Sequence, residues 1–337
     1  MSNEIWIGVD LGKSEFEAAV VGPEVRAEAW PTFPWSQFEH SPKGVDRFVQ
    51  WIGEQCGEQQ PIGGICVEAT GRLAWRWLTL LDGRIGAVSI VNPALPSAFA
   101  CSVGLRDKTD RIAACVLGLY GRTMCPRQAQ LPSPAQAELR ELYMLHGVWQ
   151  REFRAYSNRL EDGPTSAIVR RALSSHIRQL ERKLAKLQRQ MDELIDSNDQ
   201  LRCDMRQALS ITSIGPKTAR ALLAEYGDMR RYSRNEIVAL AGLYPKQFQS
   251  GTSVYRRARL VKGGGSRIRA ILYMCAMNAV HHNPHMRLFA QRLKAQGKTP
   301  MAIIGAVMRK MLLMVRAVIV SGKPYDPTFG MTSQKPT

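Results

Sequence analysis

Three carboxylates lie where predicted elements of secondary structure begin or end. Asp10 and Glu68 each follow a short apolar run that predicts a buried strand, and Asp110 opens a stretch with helical spacing. Carboxylates from separate elements repel one another unless a cation binds between them, and oxygen ligands suit Mg²⁺. Two such ions about 4 Å apart can stabilise both reacting oxygens of a phosphoryl transfer. The three residues are candidate catalytic Mg²⁺ ligands, and ordinary acidic strand ends are the alternative.

A second kind of chemistry is possible at Ser250, which precedes Gly251 in a segment that we interpret as a loop over 247–265. A hydroxyl needs activation before it can act as a nucleophile. Four nearby cations could hold a phosphate and neutralise the charge that develops there: Arg256, Arg257, Arg259 and Lys262. The spacing alone leaves a simple turn serine open.

Residues 209–223 resemble the hairpin of a helix-hairpin-helix element. A glycine-containing turn and a helix N-terminus can bind a phosphate, and Lys217 would add positive charge. An ordinary helix turn is the alternative.

His281, His282 and His285 share a helical spacing, but no Cys or acidic residue lies near them in sequence, so we interpret them as helix-capping residues rather than metal ligands.

The order of predicted elements over residues 1–126 indicates an α/β domain. Strands are predicted at 5–9, 17–21 and 25–30, followed by a helix at 45–52, a strand at 65–67, a helix at 73–81, a strand at 87–91 and a helix at 107–120. Three leading strands followed by alternating helices and strands are the order of an RNase H-like fold.

The remainder of the chain is predicted to be mostly helical. Residues 127–201 form a predicted helical hairpin whose apolar positions keep a heptad rhythm: Leu173, Ile177, Leu180, Leu184, Leu187, Met191 and Leu194. Such a seam can close within one chain or between two chains, and the sequence does not choose. Residues 202–337 form a third predicted domain, with helices from about 266 to 320.

Charge is distributed very unevenly along the 337 residues, whose net charge is +17. Residues 1–126 carry 11 basic and 14 acidic side chains, residues 127–201 carry 12 and 10, and residues 202–337 carry 23 and 5. A localised excess of this size predicts a surface for nucleic-acid phosphates.

Seven scattered cysteines argue against a disulfide framework or zinc ribbon. The absence of a long apolar run and of a signal-peptide pattern predicts a cytoplasmic protein with no membrane partner.

The chain resembles the transposases of the insertion sequence 110 family, which are DEDD serine recombinases guided by a bridge RNA. The resemblance runs nearly end to end and rests on a series of motifs: Ile7–Asp10, Val67–Gly71, Val91–Ala94, Gly104–Asp110, Ile214–Ala219, Ala241–Pro245, Gln249–Ser253, Met308–Lys310 and Ser321–Asp326. It implies a RuvC-like first domain that holds Mg²⁺ through Asp10, Glu68 and Asp110. It also implies a transposase domain in which Ser250 forms a covalent phosphoserine with DNA.

The resemblance further implies a set of partners. These are double-stranded donor and target DNA, a structured guide RNA that pairs with both, and three further copies of the chain in a tetramer built from two dimers. The two domains of one active site would come from different protomers. Base pairing rather than side chains would read the DNA sequence, as in other guided nucleases. The protein would be bacterial and associated with the nucleoid when active.

One position departs from the family pattern. The fourth carboxylate is expected three residues after Asp110, where this chain has Ala113. Asp107 lies a turn earlier and is a poor substitute. We expect an impaired metal step, whether Ala113 is engineered or natural. Two other hypotheses stay open: an RNase H-like junction nuclease with no covalent step, and an inactive protein that binds RNA or DNA.

Overall fold

The computed structural model describes residues 4–22, 32–56, 61–69, 72–81, 84–105, 109–250, 254–260 and 265–327. Of residue 72 and of residues 246–250 and 254–259 only the backbone is described. The chain divides into two compact units, residues 1–131 and residues 132–337. The division into three domains at 126 and 201 stays a prediction.

The first unit is built on one five-stranded sheet with helices. Its elements are β1 (Ile5–Leu11), β2 (Glu15–Val21), β3 (Trp35–Glu39), α1 (Pro42–Cys56), β4 (Ile62–Glu68), α2 (Arg72–Leu81), β5 (Val88–Val91), α3 (Ala94–Ser102) and α4 (Asp110–Met124). The strand order is β3-β2-β1-β4-β5, with β2 antiparallel to β1 and β3, and β4 parallel to β1 and β5. This topology confirms the predicted RNase H-like fold.

Two described elements of the first unit, β3 and α3, are absent from the sequence-based prediction. The third described strand is at Trp35–Glu39, whereas the predicted strand at 25–30 lies outside the described residues. Sequence pattern missed β3 because Phe38 is its one buried side chain, so the strand has almost no apolar alternation. Helix α3 was also not predicted, since it buries little beyond Pro96.

The two faces of the sheet have different partners. One face carries Phe16, which packs edge-on against Phe48 of α1 and Trp77 of α2 with ring centroids 5.4 and 5.7 Å away. On the opposite face, Ala19 and Cys66 pack against the apolar side of α4. Because side chains alternate along a strand, residues two apart on β1, β2 or β4 share the α4 face.

Helix α4 lies unusually close to β1. A Cβ on Gly8 would be 1.9 Å from the carbonyl oxygen of Ala114 and 2.2 Å from the amide nitrogen of Gly118, so only a glycine fits at this crossing. Gly118 leaves matching space on the helix, where a Cβ would be 2.6 Å from a side-chain carbon of Val21. This contact fixes where α4 begins relative to the end of β1.

The second unit is mostly helical. Its elements are α5 (Pro134–Glu161), α6 (Ala167–Ser197), α7 (Asp199–Leu209), α8 (Pro216–Tyr226), a short 3-10 helix (Met229–Arg231), α9 (Arg234–Leu240), β6 (Pro245–Ser250), β7 (Val254–Leu260), α10 (Ser266–His282), α11 (Pro284–Ala295) and α12 (Pro300–Ser321). No helix among the described residues has the length and apolar character needed to cross a membrane.

The segment predicted as a loop at 247–265 contains a β-hairpin, which is a correction. Strands β6 and β7 pair antiparallel from Pro245↔Leu260 to Ser250↔Val254. The segment lacks apolar alternation, but hydrogen bonding between neighbouring strands satisfies its backbone groups and does not require a buried face.

The heptad seam of α6 packs within the chain against α5. Leu180, Leu187 and Met191 are its buried positions. Ring contacts also join the two helices, with Tyr156 and His176 centroids 4.4 Å apart and Lys183 Nζ 5.6 Å from the Trp149 ring centroid. The sequence left open whether the seam closes within one chain or between two chains. The structure shows it closed within the chain, between α5 and α6.

We expect Gly8→Ala to destabilise the first unit by about 3 kcal/mol, the upper end of the cost of overpacking, because backbone atoms of α4 must move. Urea unfolding followed by tryptophan fluorescence reports this unit, which contains six of the seven tryptophans. The control is Gly53→Ala on α1, where a Cβ would meet nothing within 4 Å. That helical change should stabilise by about 0.5–1 kcal/mol. Equal midpoints for the two variants would contradict the proposed role of the close contact.

Candidate active site and nucleic-acid interface

Asp10 and Asp110 line one cleft of about 240 Å³ at the end of β1. Asp10 is the penultimate residue of β1, and Asp110 is the first residue of α4. Thr109 caps this helix, since its Oγ1 accepts a hydrogen bond from the Ile112 amide at 3.3 Å. The cap fixes the start of α4, where a carboxylate also interacts favourably with the helix dipole.

Glu68 lies on the strand next to Asp10 but is not among the residues that line this cleft. The parallel register pairs Val9 with Val67, so the following residues, Asp10 and Glu68, are neighbours on the α4 face. Within the described part of the chain, no three His, Cys, Asp or Glu side chains are grouped closely enough to form a metal cluster. The structure thus brings Asp10 and Asp110 to one cleft and leaves Glu68 beside it.

The cleft contains a further carboxylate, Glu17, which the sequence analysis did not select. Glu17 is the register partner of Asp10 on β2 and lines the same cleft. Burial, followed by the negative charges of Asp110 and Asp10, raises the pKa of Glu17, while Arg111 opposes the shift. A short turn joins β1 and β2, so the sequence could have suggested that Glu17 faces Asp10. That pairing depends on the register of the hairpin, which the sequence analysis did not assign.

Position 113 provides no ligand atom at this site. Ala113 lies one turn into α4, where its amide donates to the Thr109 carbonyl oxygen at 2.9 Å. Residues three apart share a helix face, so Ala113 follows Asp110 on that face. Asp107, the other acidic residue nearby in sequence, lies outside the described residues.

Ser250 is the last residue of β6 and pairs with Val254, the first residue of β7. The backbone of β7 carries Arg256, Arg257 and Arg259, so these positions follow Ser250 across one tight hairpin. Lys262 lies outside the described residues. The structure therefore gives the backbone placement of the predicted nucleophile and of three of its four predicted cations.

Lys217 is exposed at the second position of α8, after a turn that ends in Gly215. Gly215 provides no side-chain cap, so the first amides of α8 have no capping side chain from this residue. Burial and the positive charges of Arg220 and Lys217 lower the pKa of His146 on α5. At the start of α8, Pro216 has no N–H and the Thr218 amide donates to the Gly215 carbonyl oxygen at 3.0 Å. The exposed Lys217 adds positive charge at this helix start.

A buried ion pair holds the helices around this turn together. Asp204 of α7 is 1% exposed, and both of its oxygens accept hydrogen bonds from Arg230, at 2.7 and 3.0 Å. Gln200 donates to the same carboxylate at 2.9 Å. This pair connects α7 to the short helix that follows α8, and so it closes the helix-hairpin-helix-like element.

Histidines and exposed cations lie around α11. Asn283 caps α11 by accepting from the Met286 amide at 3.2 Å, and His285 Nε2 lies 2.6 Å from the Pro327 carbonyl oxygen. Residues 237–325 contain fifteen basic and no acidic side chains. Exposed cations that the sequence analysis did not single out lie on and just after α11: Arg287, Arg292, Lys294 and Lys298.

Family models of transposases match two stretches of this chain. A family model of DEDD transposases of IS110 elements matches residues 7–162, and a model described as the transposase IS116/IS110/IS902 family matches residues 205–291. The chain is similar to the pilin gene-inverting protein of Moraxella bovis, at 29% identity over 96% of this chain and 98% of that protein. It also matches the "Insertion element IS110 uncharacterized 43.6 kDa protein" of Streptomyces coelicolor, at 25% identity over 35% of this chain and 29% of that protein.

A solved structure of Thermus thermophilus RuvC covers 37% of this chain and 99% of its own, at 15% identity and a TM-score of 0.27. The fold and the family models together define a DNA-recombining enzyme with an RNase H-like domain. The chain belongs to the IS110 family of transposases.

We expect Arg230→Ala to destabilise the second unit by about 3 kcal/mol, because it leaves the buried Asp204 carboxylate without its cation. The matched control is Arg202→Ala, which breaks the exposed Arg202–Asp199 pair and should cost less than about 1 kcal/mol. Chemical unfolding followed by far-ultraviolet circular dichroism measures both. Equal losses would show that the buried pair does not stabilise the α7–α8 element more than a surface pair does.

Proposed function

We propose that this chain is an RNA-guided DNA recombinase that cuts and rejoins donor and target DNA through a covalent phosphoserine. The observation that carries the proposal is the combination of two features in one IS110-family chain. An RNase H-like unit presents an acidic cleft with Asp10 and Asp110. A separate basic segment places Ser250 at the end of a strand, next to a tight hairpin. A nuclease that uses only the acidic cleft has no need for the second feature.

In the proposed step, the hydroxyl oxygen of Ser250 forms a bond to a backbone phosphorus of DNA. The bond from that phosphorus to one deoxyribose oxygen breaks, and the oxygen leaves with a proton, while the hydroxyl proton passes to a base or to solvent. Because one phosphate ester replaces another, the reverse step can rejoin a strand without ATP. Arg256, Arg257, Arg259 and Lys262 would hold the phosphate and neutralise its developing charge.

Asp10, Glu68 and Asp110 would hold Mg²⁺ in the first unit. The donor set fits a hard divalent cation, since it contains oxygen ligands only. A buried carboxylate oxygen of Glu17, in the same cleft, has no hydrogen-bond partner among the described residues. When bound, Mg²⁺ would stabilise negative charge on the reacting phosphate.

The partners follow from the family resemblance and from charge. Residues 1–126 would be the RuvC-like domain, 127–201 the coiled-coil hairpin and 202–337 the transposase domain. A guide RNA would pair with donor and target DNA, and four chains would assemble as two dimers that share active sites. Lys217 and the start of α8 would bind backbone phosphates. The name of the Moraxella bovis relative, a pilin gene-inverting protein, is in keeping with a recombinase.

We expect Ser250→Ala to abolish a covalent protein–DNA adduct while RNA binding survives, because the change removes only the nucleophilic oxygen. The test uses the full chain carrying Ala113→Asp, which restores the expected metal ligand, with guide RNA, labelled DNA and Mg²⁺ on denaturing gels. Ser253→Ala, a serine three residues away, is the matched control and should keep the adduct. An adduct that persists without Ser250 and maps to Ser253 or Tyr255 would identify a different nucleophile.

We expect Ala113→Asp to raise recombination strongly over the parent chain at equal RNA and DNA binding. The change adds a carboxylate on the same helix face as Asp110 and should improve affinity for a second Mg²⁺. Folding should change little, since alanine favours a helix over aspartate by only a few tenths of a kcal/mol. Recombination is measured with cognate RNA and both DNA partners. Equal activity of the two chains would show that a carboxylate at position 113 is not needed.

A further inference from the structure

Two cations share one aromatic ring between α11 and α12. Lys310 of α12 has its Nζ atom 4.4 Å from the ring centroid of Phe289 on α11, and the guanidinium carbon of Arg292 lies 5.4 Å from the same centroid. A single cation is attracted to the face of an aromatic ring. A second cation beside the same ring brings like charges together, and their repulsion opposes that attraction. The ring therefore accounts for one cation but not for the pair.

No carboxylate balances this pair. Residues 237–325, which include α10, α11 and α12, contain no acidic side chain. Neither Lys310 nor Arg292 takes part in an ion pair between described residues. Helix α12 also packs against α7, the 3-10 helix and α9. The acidic side chains on or next to those elements have other partners: Asp199 pairs with Arg202, Asp204 and Asp228 pair with Arg230, and Glu236 accepts from the Ser233 amide.

Lys310 is half-buried, whereas Arg292 is exposed. Burial, followed by the positive charge of Arg292, lowers the pKa of the Lys310 ammonium. The fold thus makes the charged form of Lys310 less favourable than it is in water. An anion bound beside Lys310 would favour the charged form again. This arrangement suits an anion that approaches from solvent and contacts both cations.

The side chains present indicate which anion fits. Lysine and arginine carry only hydrogen-bond donors, and phosphate oxygens are acceptors for both. Duplex DNA carries one negative charge per about 1.7 Å of its axis, a higher density than a single strand has. Single-stranded RNA is recognised largely by stacking unpaired bases on aromatic rings, but two cations already lie against the ring of Phe289. The site therefore favours the backbone of duplex DNA.

We propose that Lys310 and Arg292, positioned at the ring of Phe289, form a binding site for backbone phosphate of duplex DNA. This inference rests on the DNA partner named in the proposed function and adds a site outside the basic hairpin that follows Ser250. Phe289 would position Lys310 through the ring contact. Contacts to phosphate fix the register of a protein on DNA without reading its sequence.

The test is the affinity of the full chain for a fluorescein-labelled DNA duplex, measured by fluorescence anisotropy between about 50 and 200 mM KCl. Lys310→Met keeps the length of the side chain and removes its charge. We expect binding about fivefold weaker or more, and a slope of log affinity against log salt that is smaller in magnitude by about 1. Lys43→Met, the same change at an exposed position of α1, is the matched control. Its affinity should stay within about twofold of the parent, with the same slope.

Thermal unfolding separates a phosphate site from a purely structural ring contact. Loss of a stabilising ring contact would lower the unfolding midpoint of Lys310→Met, whereas relief of repulsion with Arg292 should leave it equal to the parent or higher. A lower midpoint with unchanged DNA affinity would overturn the inference. Arg292→Gln changes an exposed residue and should weaken DNA binding without affecting folding. Lys310→Arg keeps the charge, so a loss of affinity as large as in Lys310→Met would also overturn the inference.

Further arms separate this inference from the proposed function. Weaker DNA binding in Arg256→Gln, with Lys310→Met and Arg292→Gln equal to the parent, would overturn the α11–α12 site and leave the proposed function intact. Absence of the Ser250 adduct, with weaker DNA binding in Lys310→Met, would overturn the function and keep the site. A parent chain that does not bind the duplex at the lowest salt would overturn the site.

The choice of DNA is tested with labelled oligo-uridine as the single-stranded RNA probe. Lys310→Met should weaken oligo-uridine binding less than duplex binding. A larger loss with oligo-uridine than with the DNA duplex would assign the site to single-stranded RNA and overturn the choice of DNA.

Discussion

The close crossing of α4 over β1 is the constraint on which the acidic site depends. At Gly8 the helix backbone meets the strand backbone with no side chain between them. This contact sets the depth and the direction of α4, and Thr109 sets its first turn. As a result Asp110, which is exactly one hundred residues after Asp10 in sequence, lines the same cleft. A larger side chain at the crossing would displace the whole start of the helix.

The acidic cleft carries an electrostatic cost. Asp10, Glu17 and Asp110 are close enough that the negative charges of two raise the pKa of the third. The same domain could have been more stable with a neutral residue on β2, since like charges opposite each other destabilise a strand pair. In the second unit the opposite sign dominates, because residues 237–325 contain no acidic side chain to offset fifteen basic ones. The cleft of the first unit and this stretch of the second unit thus carry charges of opposite sign.

Much of the fold could be predicted because its signals are local. Short apolar runs marked β1, β4 and β5, and heptad spacing marked α6, whose seam buries Leu180, Leu187 and Met191. Strand β3 and the β6–β7 hairpin escaped because few or none of their residues alternate between apolar and polar types. Their strands form through backbone pairing with a neighbour, which leaves little trace in composition.

The sequence by itself determined the fold class, the family motifs, the concentration of positive charge and the candidate residues Asp10, Glu68, Asp110 and Ser250. It also determined that position 113 has no carboxylate. Only the tertiary structure decided that the α6 seam packs within the chain, that Glu68 lies beside the cleft and that Glu17 lies in it. The reason is physical: residue type and spacing are local properties, whereas the facing of Glu17 and Asp10 follows from the register of the β1–β2 hairpin, which residue types alone do not fix.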